Sequence, residues 1–311
     1  MQHVCLAPEG FNDDLEKEIA LLGGKILWHQ DDLYWVDGLK TTPCFAQNLW
    51  TDPKVLEFQS VGEAATKLRE LHGMWALHSV AHHRRAELIQ EKLPHYKKRK
   101  PEFGDNRKLP PLGAWTLLEQ GKILASPTTT SPYPDAVVDF ETDKAAPSRA
   151  FLKLWEWMQV WGHRPQPGER CIDLGSSPGG WTWVLEKLGC EVISVDKAAL
   201  DPRLSRLPRI RQLKKDAFEL KPEDIGPVDW LFSDIICYPA RLLELVERWR
   251  ASGLVKNMVC TIKFQGETDF ETVAKFRAIP GSRVQHLYQN KHEVTWWNLG
   301  TSPLTSQPQN Q

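Results

Sequence analysis

The 311-residue sequence lacks the features that mark secreted, membrane-spanning and metal-binding proteins. Its six cysteines lie far apart, with no CxxC pair and no cysteine–histidine spacing typical of a metal site. No apolar run approaches the ~18 residues of a membrane-spanning helix, and no basic segment followed by an apolar run opens the chain. These absences predict a cytoplasmic protein with reduced thiols, no membrane anchor and no bound metal.

An excess of one charge is also missing, because 39 Lys and Arg residues nearly balance 40 Asp and Glu residues. Any surface for a polyanion must therefore be local. One locally basic stretch is 82–108, in which nine Lys and Arg residues stand against four Asp and Glu residues and Tyr96 and Phe103 are available to stack on bases. We interpret it as a candidate RNA-binding segment, with an ordinary solvated surface as the alternative.

The hydrophobic pattern divides the chain near residue 145. Beyond that point, strand-like apolar runs alternate with amphipathic stretches, which predicts an α/β domain over 146–300 with a parallel sheet flanked by helices. The predicted strands are 171–174, 191–195, 210–213, 230–232, 258–262, 284–288 and 294–298, the last two forming an antiparallel hairpin that closes the sheet. The predicted helices are 147–161, with Pro147 in the first turn, 180–188, 239–251 and 269–278.

The first 145 residues are less regular and predict a smaller α+β region. We expect short strands at 4–7, 25–29 and 33–36, a helix over 13–22, and a longer helix over 62–93 with a possible break at Gly73. The polar tail 301–311 is predicted to be disordered.

A glycine-rich turn, Asp173-Leu174-Gly175-Ser176-Ser177-Pro178-Gly179-Gly180-Trp181, follows the first strand of the C-terminal part. Glycines let the backbone approach a ligand closely, and this turn lies at the carboxyl edge of the predicted sheet. The spacing differs from the GxGxxG pattern of dinucleotide sites. It indicates a pocket for another nucleotide-like ligand, with a purely structural turn as the alternative.

Three carboxylates, Asp196, Asp216 and Asp234, follow successive predicted strands. Asp196 is placed to accept the hydroxyls of a ribose, and Asp216 to accept the amine of an adenine. An acidic site disfavours pyrophosphate and suits the positively charged amino group and sulfonium of S-adenosylmethionine.

Two lysines and one further carboxylate are predicted to join Asp234 at the same edge. They are Lys153 on the helix before the first strand, Lys263 at the end of the fifth and Glu293 at the start of the seventh. A lysine that ends a buried strand must be paired or functional. We expect Lys153 to lower the pKa of Lys263 by like-charge repulsion, with an ion-pair network of no catalytic role as the alternative.

In order and spacing, Lys153, Asp234, Lys263 and Glu293 resemble the Lys-Asp-Lys-Glu tetrad of FtsJ-type ribose 2′-O-methyltransferases. The loop 177–181 resembles that family's Pro-Gly-Gly-Trp loop. The stretches 146–154 and 291–295 are similar to its RlmM branch, bacterial enzymes that methylate a cytidine ribose of 23S ribosomal RNA. The resemblance covers about residues 145–300.

The resemblance implies a Rossmann-like methyltransferase sheet, S-adenosyl-L-methionine as cofactor and Lys263 as acceptor of the 2′-hydroxyl proton. Lys153 and Glu293 would orient the hydroxyl and tune Lys263. It further implies a monomer that acts on 23S ribosomal RNA or a pre-50S particle, and a reduced THUMP-like RNA-binding module within 1–145. The implied cofactor contacts are Ser148, Gly175, Ser177, Pro178, Gly179, Gly180, Trp181, Asp196, Asp216 and Asp234.

Other functions stay open at this point. The chain could be a catalytically degenerate RNA-binding protein, a 2′-O-methyltransferase for a different RNA, or a nicotinamide dehydrogenase. Methylation of exocyclic amines is disfavoured, because Ser233-Asp234-Ile235-Ile236 replaces the usual Asn/Asp-Pro-Pro-aromatic segment. Cys237 lacks the Pro-Cys or Thr-Cys setting of a carbon-methylating nucleophile.

Overall fold

The computed structural model describes residues 1–96, 100–105, 107, 109–141 and 143–300. These residues form two compact units that divide near residue 142, and the short pieces Gln159–Trp161 and Gln285–Gln289 group with the N-terminal unit. The tail 301–311 and part of the basic stretch, residues 97–99, 106 and 108, lie outside the described residues. Among the described helices, none has the length and hydropathy needed to cross a bilayer.

The N-terminal unit is an α+β structure, as predicted, but it contains more strands than the sequence suggested. Its elements are β1 (Gln2–Leu6), α1 (Asn12–Leu21), β2 (Lys25–Gln30), β3 (Leu33–Asp37), β4 (Asn48–Trp50), β5 (Lys54–Glu57), α2 (Val61–Leu71), β6 (Trp75–Leu77), α3 (His83–Gln90), β7 (Gly113–Glu119) and β8 (Lys122–Ser126). In the described residues these strands form two four-stranded sheets, ordered β2–β3–β1–β4 and β5–β8–β7–β6.

The helix predicted over 62–93 is interrupted near the possible break at Gly73, and the interruption is longer than a kink because strand β6 separates two shorter helices. Helix α2 begins after Ser60, whose hydroxyl accepts a hydrogen bond from the Glu63 amide, and it ends at Leu71. The fully buried Trp75 then donates its indole N–H to the carbonyls of Leu68 and His72. These bonds satisfy the helix end, so the chain is free to pair as β6 with β7.

The C-terminal unit alternates helices with the strands of one mixed sheet. Its elements are α4 (Phe151–Trp161), β9 (Arg170–Leu174), α5 (Gly180–Lys187), β10 (Glu191–Val195), α6 (Pro202–Ser205), β11 (Ile210–Leu213), α7 (Pro222–Ile225), β12 (Val228–Ser233), α8 (Pro239–Ala251), β13 (Val255–Lys263), α9 (Phe270–Ala278), β14 (Ser282–Gln285) and β15 (Glu293–Leu299).

The seven strands are ordered β11–β10–β9–β12–β13–β15–β14, which confirms the predicted Rossmann-like sheet with its closing hairpin. Strands β9 to β13 run parallel, and β15 runs antiparallel to β13. Residues 192–195 of β10 are all buried, as expected for a strand covered on both faces. The strand order reverses between β9 and β12, and ligands bind at the carboxyl ends of such neighbouring strands.

Several boundaries of the C-terminal elements differ from the prediction, and those of α4 and β14 have a clear structural reason. Helix α4 begins at Phe151 rather than at Pro147, because the preceding turn packs against Gly180, where an added Cβ would lie 2.5 Å from the Ser148 hydroxyl. The strand predicted over 284–288 is β14, Ser282–Gln285. It ends there because the His286 amide donates to the Cys44 carbonyl instead of continuing the sheet.

Candidate active site

Four charged side chains form a closed ring at the carboxyl edge of the C-terminal sheet. Lys153 Nζ, on α4, lies 2.9 Å from Asp234 Oδ1 and 2.8 Å from Glu293 Oε1. Lys263 Nζ, at the end of β13, lies 2.6 Å from Asp234 Oδ1 and 2.7 Å from Glu293 Oε2. Each lysine therefore pairs with both carboxylates, and the ring carries no net charge.

The local structure fixes where each member of the ring stands. Lys263 and Glu293 are direct register partners of the antiparallel β13–β15 pair, so their side chains emerge on the same side. The Thr261 hydroxyl donates to Asp234 Oδ1 over 2.5 Å, which holds the carboxylate that follows β12. The four charged side chains are only 6% to 15% exposed. Mutual pairing is what makes such burial of charge tolerable.

The ring shifts the proton affinities of its members. Burial lowers the pKa of Lys263, but the neighbouring Asp234 and Glu293 outweigh burial and raise that pKa above its ordinary value. Burial opposes ionisation of Glu293, yet the two lysines bring its pKa down to about 2. The expectation that Lys153 lowers the pKa of Lys263 is therefore wrong for this arrangement, because two carboxylates lie within 2.7 Å of the ammonium.

A cavity of about 330 Å³ adjoins the ring and includes two of its members, Asp234 and Lys263. This volume is within the range of small-molecule sites. The cavity is lined by Ser148, Ala150, Asp173, Gly175, Ser176, Ser177, Pro178, Gly180, Trp181, Asp196, Asp234, Ile235, Ile236 and Lys263.

Two hydroxyls in the cavity lining are prepared for a ligand. Ser148 Oγ and Ser176 Oγ are buried and have no hydrogen-bond partner among the described residues. A buried polar atom without a partner costs about 1–3 kcal/mol, so a ligand that forms hydrogen bonds with these hydroxyls would recover part of that free energy.

The glycines of the turn are required by close approach as well as by conformation. Gly175 has a φ of +77°, and a Cβ there would meet the Ile235 side chain at 2.8 Å. At Gly180 a Cβ would meet the Ser148 hydroxyl and lie 3.2 Å from the Phe151 amide nitrogen. Side chains at these positions would push the cavity wall inward.

The carboxylates at the strand ends differ in their surroundings. Asp196 lines the cavity, and its two oxygens accept the amide N–H groups of Ser177 and Ala198. Asp216 lies outside the lining and pairs with Lys197 Nζ at 2.7 Å. That bond and the Phe218 amide hold the pKa of Asp216 below its usual value.

Comparison with known proteins identifies the family of this chain. A family model described as FtsJ-like methyltransferase matches residues 146–293. A ribosomal RNA large subunit methyltransferase M from Alkalilimnicola ehrlichii is 30% identical over 92% of this chain and 91% of its own length. The chain belongs to the ribosomal RNA large subunit methyltransferase M family.

Other similarities cover less of the relatives or are weaker. The protein of the same name from Methylococcus capsulatus is 33% identical, but the match spans only 54% of this chain and about half, 52%, of that relative. The solved structure of TrmN from Thermus thermophilus aligns with 95% of this chain and 98% of its own, at 15% identity and a TM-score of 0.33. That score is too low to bear on the fold.

The structure brings most residues predicted for this methyltransferase site together. The tetrad forms the ring, and of the predicted cofactor contacts only Gly179 and Asp216 lie outside the cavity lining. In the described part of the chain, no cluster of three or more His, Cys, Asp or Glu residues has the geometry of a metal site.

Sequence reasoning missed Ala150, Ile235 and Ile236 in the cavity lining, and it assigned no individual contact to Asp173 and Ser176, although both lie in the predicted ligand-binding turn. Asp173 had a usable signal, because a carboxylate inside a buried strand is rare. Burial raises the pKa of Asp173 to about 7, the carboxylates of Asp234 and Asp196 add to the rise, and a 2.7 Å hydrogen bond from Thr182 opposes it. The two isoleucines carry no polar chemistry that a sequence pattern could detect.

Proposed function

We propose that this chain transfers a methyl group from S-adenosylmethionine to a ribose 2′-hydroxyl of RNA, with a cytidine of 23S ribosomal RNA as substrate. The observation that carries the proposal is the closed ring of Lys153, Asp234, Lys263 and Glu293 beside a ligand-sized cavity. Family membership supports the RNA substrate, because the relatives are named ribosomal RNA large subunit methyltransferases.

The residues of the cavity fit S-adenosylmethionine. The hydroxyls of Ser148 and Ser176, which have no hydrogen-bond partner in the described part of the chain, offer polar contacts, and the glycine turn gives room for close approach. Asp196, whose carboxylate lines the cavity and among the described residues accepts only backbone amides, gives the cavity a negative charge that suits a ligand with a sulfonium and an ammonium. When bound, this cofactor supplies an activated methyl group, so no metal or covalent nucleophile is required of the chain.

Two further carboxylates are proposed to contact the cofactor, and each already has hydrogen-bond or ion-pair partners in the structure. Asp196 is held by two backbone amides and retains lone pairs for the ribose hydroxyls of the cofactor. Asp216 would accept the adenine amine, for which Lys197 must share or release the carboxylate. The lining residues Ser148, Gly175, Ser177, Pro178, Gly180 and Trp181, with Gly179 beside them, would shape the remaining contacts.

Within the ring we assign the proton transfer to Lys263. Its amine accepts the proton of the 2′-hydroxyl as the ribose oxygen gains the methyl group, and this requires Lys263 to be neutral when the hydroxyl arrives. Lys153 and Glu293 hold Lys263 and the hydroxyl in place. Asp234 pairs with both lysines and also borders the cavity.

The proposal extends to the rest of the protein. The N-terminal residues 1–145 would act as a reduced THUMP-like RNA-binding module that includes the basic stretch 82–108, and 146–300 would be the catalytic domain. All six cysteines are buried and free, which supports a reducing, cytoplasmic compartment. We further propose a monomer that acts on naked 23S RNA or a pre-50S particle.

Mapping of ribose methylation by mass spectrometry in RNA from cells with and without the gene tests the proposal. The expected result is the loss of one 2′-O-methylcytidine from large-subunit RNA and its return with the wild-type gene but not with Lys263→Ala. Loss at another nucleotide would keep the reaction and change the substrate. Unchanged methylation of every RNA would overturn the proposal.

A further inference from the structure

The loop between β12 and α8 carries two exposed apolar side chains at the rim of the active site. Ile236 is 79% exposed and Tyr238 is 64% exposed. Apart from Met1, no large hydrophobic residue in the described ranges is more exposed than Ile236. Isolated exposed apolar residues are ordinary, but a pair on one short loop beside a catalytic cavity indicates a surface that binds something.

The loop is anchored at alternate residues, which fixes where the exposed pair stands. Ile235 packs over Gly175, Cys237 is buried, and Pro239 is the buried first residue of α8. The Tyr238 carbonyl accepts the first hydrogen bonds of α8. The intervening residues Ile236 and Tyr238 therefore point outward from a held backbone rather than from a loose one.

The exposed pair adjoins the reacting groups. Ile236 lines the same cavity as Asp234 and Lys263. Tyr238 is two residues further along, so its Cα lies within about 7 Å of that of Ile236. The Tyr238 side chain has no hydrogen-bond or ring partner among the described residues, which leaves its aromatic face available.

We infer that Ile236 and Tyr238 form a seat for the base of the nucleotide that is methylated, an inference that rests on the proposed function. The base of a nucleotide is attached to C1′, next to the carbon that bears the 2′-hydroxyl. A ribose held at Lys263 therefore brings its base to the cavity rim, where an exposed ring and an aliphatic wall stand. Aromatic side chains stack on unpaired RNA bases in this way.

Turnover kinetics on 23S RNA from cells lacking the gene test the seat. Tyr238→Ala is expected to raise KM for RNA by about 5- to 150-fold, the range for loss of one base–aromatic stack. Tyr238→Phe keeps the ring and is expected to stay within about twofold of wild type, because only a hydroxyl is lost. The affinity for S-adenosylmethionine should be unchanged in both.

The matched control is Leu21→Ala, which removes a side chain that is also 64% exposed but lies at the end of α1. It is expected to leave KM unchanged. An equal effect of Tyr238→Ala and Leu21→Ala would overturn the seat while leaving the methyltransferase function intact. A change in oligomeric state of Tyr238→Ala, with normal KM, would assign the pair to a protein contact and overturn it too.

Measurements of RNA binding test the seat separately from the proposed methyl transfer. Wild type is compared with Tyr238→Ala on an oligoribonucleotide with one central cytidine and on the same oligomer with an abasic ribose there. The seat predicts that Tyr238→Ala weakens binding of the cytidine oligomer and has no effect on the abasic one. Equal weakening on both oligomers, no weakening on either, or no binding by wild type would overturn the inference. Wild type that binds but methylates no RNA would count against the proposed function alone.

Discussion

Lys263 and Glu293 face each other across the antiparallel β13–β15 pair, with Nζ of the lysine 2.7 Å from Oε2 of the glutamate. The backbone register sets this contact, so it does not depend on a flexible loop. Both side chains are largely buried, and Asp234 and Lys153 complete the ring around them. The proposed base is therefore held in place before any substrate arrives, at the expense of a raised pKa.

The raised pKa of Lys263 predicts an alkaline pH dependence for methyl transfer. Below that pKa the neutral amine grows about tenfold for each pH unit, so kcat should rise with pH from 7 to 9 with a slope near one. Glu293→Gln removes one of the carboxylates that raise the pKa and should shift the rise to lower pH. A rate independent of pH between 6 and 9 would contradict the assignment of Lys263 as the base.

Glu293 should be important for stability because it pairs with two buried lysines. Glu293→Ala leaves both with only Asp234, and breaking a buried pair typically costs about 3–5 kcal/mol in the free energy of unfolding. The matched control is Glu271→Ala, which breaks the exposed pair with Lys275 and should have no measurable effect. Urea denaturation measures both, and equal effects of the two substitutions would show that the ring is not a stabilising unit.

The lowered pKa of Glu293 also determines the pH range over which this residue stabilises the folded protein. Its folded pKa of about 2 lies below the ordinary value of 4.5, so its contribution is present above pH 4.5 and is lost as pH falls towards 2. The stability difference between wild type and Glu293→Gln should therefore be largest near neutral pH and shrink over that acid range. A difference that is constant from pH 7 to pH 3 would contradict the lowered pKa.

Gly180 should matter for cofactor binding because Ser148 occupies the space where its Cβ would be. Gly180→Ala is expected to displace the Ser148 hydroxyl and to weaken S-adenosylmethionine binding by about tenfold, the value of one lost hydrogen bond. Gly73→Ala is the control, since nothing lies within 4 Å of its added Cβ. Calorimetric titration measures both affinities, and an unchanged affinity for Gly180→Ala would remove Ser148 from the cofactor site.

The surroundings of His78 in the N-terminal unit predict a second pH dependence of the free energy of unfolding. Its ring nitrogens lie 2.9 Å from Asp135 and 2.8 Å from Asp32. Burial lowers the pKa of His78, but the two carboxylates outweigh it and raise the pKa to about 9. The stabilisation is full below pH 6.5 and is lost as pH rises through 9.

The comparison of wild type with His78→Gln isolates this effect. Their difference in unfolding free energy should shrink by about 3 kcal/mol between pH 6 and pH 10, because 2.5 pKa units separate the folded and ordinary values. Urea denaturation across that range gives the difference. A constant difference would mean that the pKa of His78 is the same in the folded and unfolded protein, and it would contradict the raised pKa.

The C-terminal unit could be predicted well because its strands are buried on both faces. In a run such as 192–195, three of the four residues are apolar and all four are buried, and the sequence shows this apolar pattern without knowledge of the neighbouring strands. Asp234, Lys263 and Glu293 stand out because each is a charge at the end of an apolar strand, and Lys153 because it is a charge within an apolar helix. Their assembly into a ring then follows from the parallel β12–β13 pair, the antiparallel β13–β15 pair and the packing of α4 beside them.

The N-terminal unit was harder to predict because its strands are short and its helix signals compete with tertiary contacts. The three residues of β6 are too few for a periodic pattern, and only their pairing with β7 shows that a strand interrupts the helical stretch. The direction of the Lys263 pKa shift was also beyond the sequence, because it depends on atomic distances to two carboxylates. The sequence also does not reveal that Ile236 and Tyr238 are exposed, because their exposure depends on how the neighbouring residues of the loop pack.

The most direct test of the account is transfer of labelled methyl from S-adenosylmethionine to 23S RNA from cells lacking the gene, followed by alkaline hydrolysis. A methyl group on a ribose 2′-oxygen blocks cleavage at that nucleotide, so wild type should place the label in an alkali-stable dinucleotide. Lys263→Ala should lose at least about 100-fold in rate, the lower range for a general base, while still binding S-adenosylmethionine. Label in mononucleotides, or full activity of Lys263→Ala, would contradict ribose methylation by this ring.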